Sequence, residues 1–491
     1  MKPYEKPSKK PKEAVRTANP AACPLAKKCG GCQLQNMSYP QQLQWKQRKV
    51  ERLLGKFHRV EPIIGMEHPV HYRNKVQAAF GLDRGRRIIS GVYQSSTHRI
   101  VPVESCMIED QKADQIITSI RHLLPQFRIQ PFDERTGQGL LRHVLVKRGF
   151  SSGQIMVVLV TVSPILPAKN RFVEALLQKH PDITTVVQNI NPGFTSMVLG
   201  EREKVLYGPG TIEDTLCGCV FRISAKSFYQ INPIQTEVLY SRALEMARLT
   251  GSERVIDAYC GIGTIGMIAA RQAGQVLGVE LNRDAVRDAI SNAKRNNITN
   301  IYFQCADAGE FMREMAAEGE TADVVLMDPP RAGSDEAFLS SLVKLSPTKV
   351  VYISCNPETQ VRDVTYLTQN GYSVCAIQPV DMFPYTNHVK TVVLLSKLNT
   401  KRHIEVELNL DELDLTAAES KATYEEIKEY VLEHTGLKVS HLYIAQVKQK
   451  YGIIERENYN KPKSENSRQP KCPLEKEAAI TEALKHFGMI S

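Results

Sequence analysis

The spacing of apolar and polar positions changes several times along the chain. From about residue 251 to 398, short apolar runs alternate with amphipathic stretches. This predicts strands at 254–259, 276–281, 301–306, 323–327, 349–354, 372–380 and 391–397, with helices between most of them. The last two runs are ten residues apart, too close for a crossover helix, so the final strand is expected to be antiparallel. The expected fold class is therefore α/β: five parallel strands closed by a hairpin, a Rossmann-like sheet of seven. Residues 232–250 read as a helix leading into it. Between about 63 and 220 the pattern turns to β-like runs, at 76–80, 88–93, 142–147 and 154–160. Leu43, Val50, Leu53 and Leu54 recur at helical spacing in a helix that opens at Tyr39. Three helices are expected in the tail, at 424–433, 440–451 and 474–487, the first two resembling a helix-turn-helix.

These changes divide the chain into a disordered basic arm (1–20), a cysteine segment with its helix (21–62), a β-rich middle domain (63–220), the α/β domain (221–400), an acidic linker (401–420) and a helical C-terminal extension (421–491). Charge sharpens the division. The chain carries a net +10, with six lysines and arginines against two glutamates in 1–20 and thirteen against seven acids in 71–150. A polyanionic partner is one reading of the middle domain and a solvated surface the other. No apolar run approaches the roughly 18 residues of a membrane span, and the polar N-terminus has no signal-peptide core. A cytoplasmic protein without membrane contact is expected, with a monomer favoured. Eleven cysteines in a reducing compartment then need a use other than disulfides.

The chemistry concentrates at strand ends. Asp257-Ala258-Tyr259-Cys260-Gly261-Ile262-Gly263-Thr264-Ile265-Gly266 follows the first α/β strand and contains G-x-G-x-x-G, which lets a nucleotide approach the backbone. Glu280 ends the next strand, where a carboxylate can take ribose hydroxyls, and Asp307 ends the third, where it can hold an adenine amino group. The glycines alone suit a nicotinamide dehydrogenase as well as an S-adenosylmethionine enzyme, and Asp257 favours the latter. Strand four ends in Asp328-Pro329-Pro330-Arg331, an acid-Pro-Pro turn suited to a planar substrate. Strand five ends in Ser354-Cys355-Asn356-Pro357. A thiolate beside a methyl donor has a use with a pyrimidine, since addition to C6 makes C5 nucleophilic.

Together with Cys23, Cys29 and Cys32 in C-x5-C-G-G-C, with Tyr72-Arg73-Asn74-Lys75, Leu141-Arg142-His143 and Ser227-Phe228-Tyr229-Gln230-Ile231-Asn232, these motifs resemble the RNA (uracil-C5)-methyltransferase family from about Cys23 to Lys397. The closest resemblance is to its iron–sulfur branch, typified by the 23S ribosomal RNA enzyme. The resemblance implies an S-adenosylmethionine-dependent methyltransferase domain that makes 5-methyluridine, with Cys355 as nucleophile. It implies that Gln230, Tyr259, Gly261, Gly263, Glu280, Asp307 and Asp328 line the cofactor and base pocket. It further implies a [4Fe–4S] cluster on Cys23, Cys29, Cys32 and Cys106. Four thiolates by themselves suit zinc equally. Ribosomal RNA is the first expected substrate and transfer RNA the second.

The chain departs from the family at three points, one of them the added helical segment at its C-terminus. The family's proton-abstracting glutamate lies two residues after a histidine, and here Pro384-Tyr385-Thr386-Asn387-His388-Val389-Lys390 places Lys390 there. His388 and Glu358 are the substitutes in view. The alternative is an RNA-binding protein with impaired turnover. The roughly 20 residues before Cys23 are too few for the small RNA-binding barrel usual in that branch.

Overall fold

The computed structural model describes residues 23–94, 97–193, 197–398, 424–451, 472–487 and 489–490. The expected arm 1–20, linker 401–420 and nearly all of a polar loop at 458–473 lie outside the described residues. The chain divides into two compact units, Met1–Thr400 and Lys401–Ser491.

The first unit opens with a short turn of helix, α1 (Ala26–Cys29), and with α2 (Tyr39–Leu54). Ser38 and Gln41 close a reciprocal capping box at the start of α2, and Pro40 sits where a missing N–H costs nothing. The middle of the chain forms a mixed sheet of β1 (Lys75–Leu82), β2 (Ile88–Tyr93), β3 (Ile100–Pro102), β4 (Leu141–Arg148), β5 (Ile155–Thr161), β6 (Ile183–Ile190) and β7 (Arg202–Tyr207), in the order 3-2-1-4-5-6-7. Two helices that the apolar pattern does not predict, α3 (Gln111–Leu123) and α4 (Lys169–Lys179), cover one face. Ile116, Ile120, Phe172 and Leu176 pack there against Val144, Val146, Val157 and Leu159. The opposite face, through Leu145, Met156, Val158 and Val160, joins a core with Phe221, Leu239 and Tyr240. Burial on both faces explains why β5 reads as one continuous apolar run.

A ribbon of β8 (Ile212–Leu216) and β9 (Cys219–Ile223) follows, turning at Cys217 and Gly218, both at positive φ. This is the tight hairpin edge that the C-G-C triplet suggests. Helix α5 (Pro233–Ala247), capped by Asn232, then leads into the second sheet. Its strands are β10 (Arg254–Ala258), β11 (Gln275–Glu280), β12 (Ile301–Cys305), β13 (Val324–Met327), β14 (Lys349–Ser354), β15 (Tyr372–Val380) and β16 (Lys390–Lys397). Helices α6 (Thr264–Ala270), α7 (Arg283–Arg295), α8 (Ala308–Ala317), α9 (Glu336–Leu345) and α10 (Pro357–Gln369) connect them. The order is β12-β11-β10-β13-β14-β16-β15, with the first five strands parallel and β16 inserted antiparallel to both β14 and β15. The expected α/β architecture with a closing antiparallel strand is present.

The second unit holds α11 (Tyr424–Thr435), α12 (His441–Lys450) and α13 (Leu474–His486) around Ile427, Val431, Ile444, Val447, Ile480 and Leu484. Gly436, at φ 71°, ends α11 in the left-handed conformation that suits a glycine. Among the described residues no helix is long and apolar enough to cross a membrane.

Candidate active site

Strand order reverses between β10 and β13, and the chemistry-bearing residues lie at the carboxyl ends of the strands around that point, where open α/β sheets bind ligands. The glycine loop leaves β10 through Tyr259, a non-glycine residue at φ 64°. Its hydroxyl donates to Ser334 Oγ at 3.4 Å and its ring packs on Phe338, centroids 5.1 Å apart. Gly261 and Gly263 both have positive φ, and a Cβ on Gly261 would meet nothing within 4 Å, so the loop backbone is open to a ligand. Glu280 stands just beyond it. One carboxylate oxygen accepts from Gly261 N–H at 3.0 Å and the other from Asn282 N–H at 2.9 Å, which fixes the side chain at the mouth of the loop. Asp307 caps α8, with Oδ1 accepting from Gly309 and Glu310 N–H groups at 2.9 and 3.0 Å.

Asp257 has a different task from the cofactor contact that its place before the glycines suggests. It is buried, and its carboxylate accepts from Gly266 N–H at 2.9 Å, tying the start of α6 back onto β10. Burial, with the negative charges of Asp328 and Glu280 adding to it, pushes this carboxyl up to about 8. A folded-state value above the ordinary carboxylate range gives stability that is fully present at acid pH and is lost as pH rises toward 8. Asp257→Asn keeps an acceptor for Gly266 and removes that titration. Thermal melts at pH 6 and pH 9 should therefore differ less for the variant than for the parent.

The centre of the site is an ion pair. Lys390, the first residue of β16 and only 4% exposed, places Nζ 3.1 Å from Oδ1 and 2.8 Å from Oδ2 of Asp328. Gln230, buried, donates from Nε2 to the same carboxylate at 3.3 Å. Gln230, Asp328 and Lys390 are thus brought together across 160 residues of sequence. Cys355 is half-buried between the end of β14 and Asn356, which caps α10 by accepting from Glu358 N–H. The antiparallel pairing of β14 with β16 ends at Ser354 and Thr391, the chain neighbours of Cys355 and Lys390.

The two residues considered as replacements for the absent glutamate separate clearly. Glu358 lies 62% exposed on the surface, paired with Lys49 at 3.3 Å. His388 is half-buried on the loop into β16, its ring edge-on to Phe383 at 6.3 Å. Burial, joined by the positive charges of Arg331, Lys49, Lys46 and Arg73, lowers its pKa below the usual imidazole value and keeps the ring neutral. Phe228, two residues before Gln230, is 66% exposed.

The four N-terminal thiols share a neighbourhood. Cys32 and Cys106 pack in one small cluster with Tyr39, Met66, Tyr72 and Tyr385, and Cys32 feels the charges of Cys29 and Cys23. Burial raises both thiols, Cys106 to about 12. As placed, however, they do not close on one point: among the described residues no three His, Cys, Asp or Glu side chains form a group that could hold a metal ion.

The sheet order, the open glycine loop and the acids at successive strand ends define an S-adenosylmethionine-dependent methyltransferase fold. Residues 211–398 match the model of the tRNA (uracil-5-)-methyltransferase family. An RNA methyltransferase of Halalkalibacterium halodurans is 45% identical over 384 residues, covering 77% of this chain and 84% of that one. One from Listeria innocua is 44% identical over 378 residues, with 76% and 83% covered. The crystal structure of Pyrococcus abyssi tRNA (uracil-54, C5)-methyltransferase in complex with S-adenosyl-L-homocysteine is similar at TM-score 0.63 and 28% identity, over 74% of this chain and 85% of that one. The chain belongs to the RNA (uracil-C5)-methyltransferase family.

Proposed function

We propose that this protein methylates C5 of a uridine in RNA, 23S ribosomal RNA in first place and transfer RNA in second, with S-adenosylmethionine as methyl donor. The observation that supports this reading is the cluster of Gln230, Asp328 and Lys390 at the strand ends that also carry the open glycine loop, with Cys355 directly after β14. Gly261, Gly263, Tyr259, Glu280 and Asp307 line the side where the donor would lie, and Gln230 and Asp328 the side facing the base. The donor supplies a methyl sulfonium. The Cys355 thiolate would add to C6 of uracil, and the electron pair that moves onto C5 would bond to the methyl carbon as the donor's S–methyl bond breaks, its electrons returning to sulfur to leave a neutral thioether. A base then takes the C5 proton, the C5–H electrons restore the C5–C6 double bond, and the Sγ–C6 bond breaks to return the thiolate.

Lys390 is engaged by both oxygens of Asp328, so the base role is assigned elsewhere. In this reading the Lys390–Asp328 pair stabilises the enolate oxygen that forms when sulfur adds. His388 takes the base role in this reading: it is neutral, half-buried and two residues from Lys390. Phe228 offers a ring on which a neighbouring base can stack, so Phe228→Ala should weaken RNA binding, with about 1–3 kcal/mol lost, and leave donor binding unchanged in calorimetry.

We further propose that Cys23, Cys29, Cys32 and Cys106 hold a [4Fe–4S] cluster. The support is an all-sulfur donor set gathered in one neighbourhood. Anaerobically purified protein should show a broad absorbance near the visible and about four irons per chain. Colourless protein with one zinc would replace the cluster by a structural zinc.

The test of the main reading is tritium release from C5-labelled uridine in 23S and transfer RNA transcripts, measured with methyl uptake. Release matched to uptake is expected. Binding with neither would favour the second reading, an RNA-binding protein that the Lys390–Asp328 pair has taken out of turnover.

A further inference from the structure

The loop that links β15 to β16, residues 381–389, carries His388 and delivers Lys390, yet its conformation is set by the other end of the chain. Tyr385 sits at φ 68°, a backbone state that costs a residue with a side chain about 1 kcal/mol or more. Both of its main-chain groups are taken by the N-terminal segment. Its N–H donates to Gln42 Oε1 at 2.8 Å, and its carbonyl accepts from Leu34 N–H at 2.9 Å. Asn387 N–H, next to His388, donates to Gln33 Oε1 at 3.2 Å. At the other end of the loop, Lys46 Nζ lies 2.6 Å from Asp381 Oδ1 and 2.9 Å from Phe383 O, in a pair with both side chains fully buried. Gln33 and Leu34 directly follow Cys32.

We propose that the segment from Cys32 to Lys46 is the positioning element of the proton-removing loop, so that it acts on the second half of the reaction, release of the C5 proton and of the enzyme from RNA. The inference rests on the reading of His388 as the base. None of Gln33, Leu34, Gln42 and Lys46 has been placed against substrate. Their effect passes through the backbone of Tyr385 and Asn387, where a displacement of the imidazole by about 1 Å is enough to cost about 100-fold in rate. The first half of the reaction depends on Cys355, which directly follows β14, while Lys390 is held by its pairing with Asp328 and by the β15–β16 register, neither of which these N-terminal contacts make.

The experiment uses the full chain and whichever transcript the parent enzyme methylates, labelled with C5-tritiated uridine. Methyl transfer and tritium release are followed separately under single turnover, with denaturing gels for the enzyme–RNA adduct. Gln42→Leu, which removes the acceptor of Tyr385 N–H at nearly constant volume, should leave methyl transfer at the parent rate, slow tritium release at least tenfold and accumulate adduct. Gln33→Ala, at an exposed position, should do the same more weakly and decides the matter if Gln42→Leu does not fold. Tritium release keeping pace with methyl transfer in Gln33→Ala and in folded Gln42→Leu would overturn the proposal. So would a fall of both steps by one common factor, as a loss of folded protein produces. His388→Asn is run beside them. If it releases tritium at the parent rate, the base assignment fails, and slow release in the Gln42 variant then assigns the positioning to another group on the same loop.

Discussion

His388→Asn is expected to give an enzyme that methylates once and then stays attached to its RNA. Removing a general base typically costs about 10²–10⁴ in the step it serves, and here that step follows methyl transfer. The burst of methyl uptake should match the enzyme concentration, tritium release should lag by that factor, and a Cys355–RNA adduct should persist on denaturing gels. The pH profile adds a sign. A base acts only when neutral, and the pKa of His388 is lowered by burial and by the cations of three separate segments. The parent's proton-release rate should therefore remain flat below the ordinary imidazole range as pH falls, and decline only in more acid buffer. A decline centred at or above the normal histidine value would count against His388.

Cys355→Ala should have the larger effect, since it removes the bond that makes C5 nucleophilic. Methyl uptake, tritium release and adduct should all fall below detection, a loss of at least about 10³, while RNA binding and the melting temperature stay near the parent's because the residue is half-buried at a strand end. Lys390→Met separates charge from volume. It leaves the Asp328 carboxylate without its cation in a largely buried place, the kind of change that costs about 3–5 kcal/mol. Slower addition of Cys355 to the base is expected, read as the rate of adduct formation.

Much of the sheet is legible in the chain. Short apolar runs with acids at or near their ends mark β10 to β13, the run before Ser354-Cys355 marks β14, and the brief gap before 391 marks an antiparallel last strand. The order in which β16 enters between β14 and β15 is not legible, because a hairpin of that length can close against either neighbour. Helices α3 and α4 escape the pattern for a related reason. Ile116, Ile117 and Ile120 are β-branched residues in a stretch bounded by strands, and only the sheet face they cover explains their burial. At the site, single residues are legible and pairs are not. Lys390 stands out by its position in a motif, yet its bond to Asp328 spans 62 residues and depends on the register of β16. Asp257, whose place before the glycines favours a methyl-donor site, is buried and braces the glycine loop through Gly266 N–H.

The Lys46–Asp381 pair has a consequence for how the protein is made. The partners are 335 residues apart in sequence and both fully buried. At roughly 5–20 residues per second of synthesis, α2 leaves the ribosome about 17–67 s before its counterpart exists. Through that interval the Cys23–Cys32 thiols have no finished surface to pack against and stay open to whatever loads them. The catalytic loop is locked only when β15 and β16 arrive, so any loading of these thiols can precede the competence of the site.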